Sequence, residues 1–94
     1  MSRQSSIADL PNLGPKSERV LAGVGIASVE QLRKMGAVAA YVKAKRSNAN
    51  VSLNLLWALE GALTGLSWQE VARIHRTSLL LAVEDYEQRE HPRS

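Results

Sequence analysis

Apolar residues along the chain recur at the three-and-four spacing of helices, and no stretch alternates in the way a half-buried strand would. The segment "SSIADL" reads as a short first helix with Ser5 or Ser6 as its N-cap. Pro15 suits the first position of a second helix running to about Val24, because its missing amide would be unpaired there anyway. Gly23 and Gly25 stop that helix, and Ser28 with Gln31 three residues later forms a capping box for a third, which Gly36 ends. A fourth helix spans about Ala37 to Arg46. After the loop-like "SNANV", Ser52 caps a fifth helix from Leu53 to Thr64, closed by Gly65. Ser67 with Glu70 opens a last segment whose apolar positions are Trp68, Val71, Ile74, Leu79, Ala82, Val83 and Tyr86. That segment is one long helix or two joined near His75, where Arg76, Thr77 and Ser78 interrupt the pattern. The expected fold is all-α, a compact bundle of five or six helices over residues 9–90, with residues 1–8 as an extension and the start of the first helix, and 91–94 as a polar, fraying tail.

The fifth helix divides on a wheel into two faces. Leu55, Leu56, Ala58, Leu59, Ala62 and Leu63 form one broad apolar arc, expected to be the centre of the core. Leu13, Leu56, Leu59 and Leu63 are therefore expected to matter most for stability. Asn54, Trp57, Glu60, Gly61 and Thr64 form the other face. Trp57 among them either lies beneath another helix, expected to be the last, or serves as a partly exposed anchor for a partner.

Composition narrows the function. Ninety-four residues make one small domain, and a core of Leu, Val and Ala with two Trp, two Tyr and no Phe suits a helical bundle. The absence of cysteine removes disulfides, thiolate zinc sites and thiol nucleophiles. Two histidines, His75 and His91, are too few for a metal site unaided, and Arg73 and Arg76 beside His75 disfavour a bound cation. Glu84, Asp85, Glu87 and Glu90 read as a solvated face, and the G-x-G of Gly23 and Gly25 follows a helix rather than a strand, so the dinucleotide motif fails its context. No paired carboxylates or nucleophile with a base emerge, so no catalytic residue, metal or cofactor is expected and the chain reads as a non-enzyme. "MSRQSSIADL" lacks the apolar core of a secretion signal and "LLLAV" is too short to span a bilayer, which gives the expectation of a cytoplasmic protein without membrane contact.

Charge is unevenly placed. The net charge is +3, but residues 1–46 carry eight Lys or Arg against three acids, and residues 47–94 four against six. The first half is where an acidic partner would bind, with Arg33, Lys34, Lys43, Lys45 and Arg46 as a candidate basic patch; the plainer reading is a solvated surface.

"LPNLGPK", residues 10–16, resembles the turn of a helix-hairpin-helix, with Leu10, Leu13 and Gly14 at the motif's apolar and second glycine positions and Asn12 in place of the first glycine. In such hairpins the turn amides and the next helix's first turn face a phosphate, which makes Asn12, Gly14, Lys16, Ser17 and Arg19 candidate nucleic-acid contacts. Asn12 tolerates the left-handed turn but brings a side chain towards the phosphate, and Glu18 sets a carboxylate in the helix's first turn. The alternative is a packing turn whose Leu13 plugs the core.

Taken with "SLNLLWALEGALTG" and Trp68, the run "LPNLGPKSERVLAGVGIASVEQLRKMGAVAAY" resembles the C-terminal domain of the TfoX/Sxy regulators of natural competence, over about residues 9 to 83. The resemblance implies a helical domain related to helix-hairpin-helix and SAM-like bundles, without catalytic residues, and a link to transcriptional activation of DNA-uptake genes alongside the cyclic-AMP receptor protein. Regulators of this type also carry an N-terminal α/β domain, so the resemblance implies a free-standing version or a fragment, with a separate N-terminal TfoX-like chain as one candidate partner. Two functions follow as expectations: a module in transcription and competence regulation that touches DNA weakly or touches a DNA-bound regulator, and a SAM-like protein-interaction adaptor that does not bind DNA. The oligomeric state is left open by the sequence.

Overall fold

The structure, a computed structural model, describes residues 7–47 and 50–90, the side chain of Glu90 excepted. The caps expected at Ser5 or Ser6 and the tail 91–94 lie outside these residues. A 3-10 turn at Ile7–Asp9 precedes α1 (Pro15–Ala22), α2 (Val29–Ser47), α3 (Leu53–Thr64), α4 (Trp68–Ile74) and α5 (Arg76–Glu90), and the described residues include no strand. The fold is all-α. The segment "SSIADL" supplies only the 3-10 turn among the described residues, not a full α-helical turn.

Helix ends fall where the residue chemistry puts them. Pro15 opens α1, with Gly14 extended ahead of it. Ser28 Oγ accepts the Gln31 amide at 3.1 Å, while the Gln31 side chain accepts the Ala27 amide at 2.9 Å and donates to the Gly25 carbonyl at 3.1 Å. This is a capping box whose long arm reaches one residue further back than usual. Gly36, at φ 85° and ψ 167°, breaks α2 into two helical pieces, as a glycine can and a side-chain-bearing residue rarely does. Ser52 caps α3 and Gly65, left-handed at φ 86°, ends it. Ser67 and Glu70 cap α4 reciprocally, and His75 separates α4 from α5, which makes the last segment two helices.

α3 is the central element, packed between α2 and α4, while α5 leans on α2 and α4. Leu56, Leu59, Leu21, Leu32, Ile26, Tyr41, Val42 and Val71 are fully enclosed, and no buried polar residue is found among the described ones. Trp57 is only 4% exposed and Gly61 is buried, as the expectation of a covering helix on that face requires, while Asn54 and Thr64 stay exposed. One expectation from the wheel needs correction. Leu55, Ala58 and Leu63, assigned to the core, are half-buried. A helix held by neighbours on two sides buries parts of both arcs, which a single amphipathic stripe does not represent. In the last segment Val71 and Leu79 turn inward as expected, but Trp68 and Ile74 are 40% and 54% exposed.

Candidate functional site

The turn at Pro11–Gly14 is built by a proline followed by a left-handed residue. The Leu13 amide donates to the Leu10 carbonyl at 3.2 Å and Asn12 takes φ 71°, the arrangement of a turn with proline second and Asn or Gly third. Leu13 then drops into the core at 8% exposure. The Asn12 side chain reaches across the surface to the corner between α3 and α4: Nδ2 donates to the Leu66 carbonyl at 2.9 Å and Oδ1 accepts the Trp68 amide at 3.3 Å. A Cβ on Gly61 would stand 2.5 Å from Asn12 Nδ2 and 2.6 Å from the Leu66 oxygen. Asn12 thus joins the turn to the corner between α3 and α4, and Gly61 is the residue that lets it in.

This changes what the turn presents outward. The Asn12 amide group, although at the surface, is held by the corner between α3 and α4 rather than free to cover Gly14. Gly14 has no atom within 4 Å of the place its Cβ would take, so the start of α1 is open, and Lys16 and Arg19 are exposed beside it while Ser17 is half-buried. Glu18 is half-buried, and its Oε2 accepts the Ala8 amide at 3.4 Å, tying α1 to the 3-10 turn.

Only part of the basic patch joins this surface. Arg19 and Val20 of α1 and the Gly23 that follows it line a cleft of about 370 Å³ with Ala44 and Ser47 of α2, which brings Arg19 beside the helix end that carries Lys43, Lys45 and Arg46. All three are exposed, with Lys45 Nζ lying 5.9 Å from the Tyr41 ring centroid. Arg33 and Lys34 are exposed too, but they sit in the first piece of α2, on the other side of the break at Gly36. Trp57, as a buried residue, does not form an exposed partner anchor.

On the other flank of Val20 lies a larger groove of about 520 Å³. Val20, Val51, Leu55 and Ala58 give it an apolar lining, Trp68 borders it, and Lys16, Ser17, Ser52 and Asn54 supply polar groups. None of its lining residues is acidic. Sequence reading missed this groove because it counted Trp68 as core; the signal available was its place as the first residue of α4, directly after the Ser67 cap, where a side chain readily stays at the surface. Among the described residues, no group of three or more His, Asp or Glu could hold a metal ion, and no helix is long and apolar enough to cross a membrane.

The same fold recurs in solved structures. A crystal structure of an uncharacterized protein from Listeria monocytogenes superposes with a TM-score of 0.76 at 26% identity, covering 88% of this chain and 94% of that one. A second L. monocytogenes structure, of a protein of unknown function, gives a TM-score of 0.69 at 28% identity over 82% of this chain and 99% of the other. The DNA transformation protein TfoX of Haemophilus influenzae is 36% identical over 85% of this chain and 37% of its own length. Protein Sxy of Escherichia coli is 37% identical over 64% of this chain and 29% of its own length. The chain thus spans about a third of the length of these two curated relatives. The model of the TfoX C-terminal domain matches residues 3–83, and the chain belongs to that family.

Proposed function

We propose that this domain is a non-catalytic module of competence regulation that contacts the nucleic-acid backbone weakly through the turn at Asn12–Gly14 and the first turn of α1. The observation that carries the reading is the tethered Asn12 side chain: its amide is held at the corner between α3 and α4, and Gly14 has open space at its Cβ position beside exposed Lys16 and Arg19. Amides at a helix start together with nearby cations favour a phosphate without reading bases. The end of α2, with Lys43, Lys45 and Arg46, extends the same positive surface past Arg19. The name of the H. influenzae relative, a DNA transformation protein, supports the process. A direct test is the titration of a labelled duplex at rising salt. Binding should show no sequence preference, should fall with a log–log slope of about −0.9 for each phosphate contacted, and should be lost in Lys16→Glu. No binding up to about 100 μM duplex at low salt, the weak end of non-specific affinities, would overturn it.

The groove bordered by Trp68 favours a second reading, a protein-binding adaptor that does not touch DNA. Its lining combines apolar side chains with a few polar groups, as peptide-binding surfaces do. Retention of a partner after nuclease treatment, together with failure of the duplex titration, would select it.

A further inference from the structure

The groove and α5 of the same chain are complementary. The groove has an apolar lining from Val20, Val51, Leu55 and Ala58, a single cation in Lys16, and no acidic side chain. It also borders the starts of α1 and α3, whose aligned amides favour negative charge. α5 carries the opposite pattern. Leu81 is 60% exposed, and Glu84 and Asp85, three and four residues on, share its face. Asp85 pairs with Arg89 at 3.0 Å, with both side chains largely in water, a pair that exchanges partners at little cost. Past Leu79, Leu80, Val83 and Tyr86 still pack against the core at partial burial, so the face that carries Leu81, Glu84 and Asp85 is the outward one.

We propose that the groove binds α5 of a second copy of this chain, with Leu81 against the apolar lining and Glu84 or Asp85 facing Lys16. We take the contact to be head-to-tail, each copy offering α5 to one neighbour and taking the α5 of another in its groove, so that it extends beyond a dimer as concentration rises. The surface involved is small, which puts the association in the weak range, roughly 1 μM to 1 mM.

Sedimentation of the purified chain over that range is the test. The wild type should gain mass steadily with concentration, more at low salt than at high. Lys16→Glu, which disables the groove, and Leu81→Lys, which disables the helix, should each weaken association at least tenfold. Mixed in equal amounts they should recover a 1:1 complex and nothing larger, because each supplies the half the other lacks. Both residues are exposed, so unchanged circular dichroism is expected and serves as the folding control. A wild type that stays monomeric throughout, a Leu81→Lys variant that associates like wild type, or a mixture that stays monomeric would each overturn the proposal. Leu81 lies outside the turn surface proposed for nucleic acid, so Leu81→Lys should leave duplex binding intact; failure of one proposal is thereby separable from failure of the other.

Discussion

Replacing a glycine inside a helix by alanine ordinarily stabilises a protein, by about 1 kcal/mol from backbone entropy. Gly61→Ala should do the opposite. The new methyl would lie 2.5 Å from Asn12 Nδ2 and 2.6 Å from the Leu66 carbonyl oxygen. The Asn12 amide can swing away, at the loss of its 2.9 Å hydrogen bond to Leu66, worth about 0.5 to 1.5 kcal/mol. The Leu66 carbonyl belongs to the main chain between Gly65 and the Ser67 cap, so it yields only by shifting the corner between α3 and α4, an overpacking cost of about 1 to 3 kcal/mol. Set against the helix gain, the net loss is about 1 to 3 kcal/mol, which urea melts with an unchanged slope resolve. In an Asn12→Gly background, which keeps the left-handed turn but removes the amide, the methyl meets only the carbonyl. The penalty should then shrink, giving a coupling above the roughly 0.5 kcal/mol scatter of independent sites. A Gly61→Ala protein more stable than wild type would refute the corner as described.

The remaining stability predictions follow from burial and capping. Trp57→Ala should lose about 3 to 5 kcal/mol as a buried aromatic truncation, and with Trp68 changed to Phe the native emission of Trp57 should be blue-shifted and resist iodide. Leu59→Ala should cost about 2 to 5 kcal/mol, and Leu63→Ala clearly less, because Leu63 is half-buried where Leu59 is enclosed; equal losses in denaturant melts would contradict that ranking. Ser67→Ala should remove the cap of α4 and cost about 0.5 to 2 kcal/mol, with hydrogen exchange rising first in α4.

Helix boundaries were legible because they are written in local chemistry. Gly36 and Gly65 take the left-handed angles that stop helices, and Ser28, Ser52 and Ser67 each find their backbone donors within three residues. What local chemistry does not encode is who stands opposite. Trp57 and Gly61 fell off the main apolar arc, and a wheel of one helix could not choose between a covering helix and an exposed anchor; α3 has α2 on one flank and α4 on another. The role of Asn12 was hidden for a similar reason: its partners lie more than fifty residues away along the chain, and nothing near it signals that the amide reaches the corner between α3 and α4. Glu18 looked like a carboxylate facing the phosphate position, yet it accepts the Ala8 amide. The turn surface itself was readable from Gly14, Lys16 and Arg19; the groove beside it needed the fold to bring Trp68 against residues 50–58.

The most direct measurement of the central claim is an amide-resolved NMR titration of the chain with a short duplex at low salt. The account predicts that the largest shifts fall on Gly14, Lys16 and Ser17, with smaller ones at the end of α2, and that all collapse as salt is raised. Resonances of those three amides that do not move up to about 100 μM duplex would contradict it.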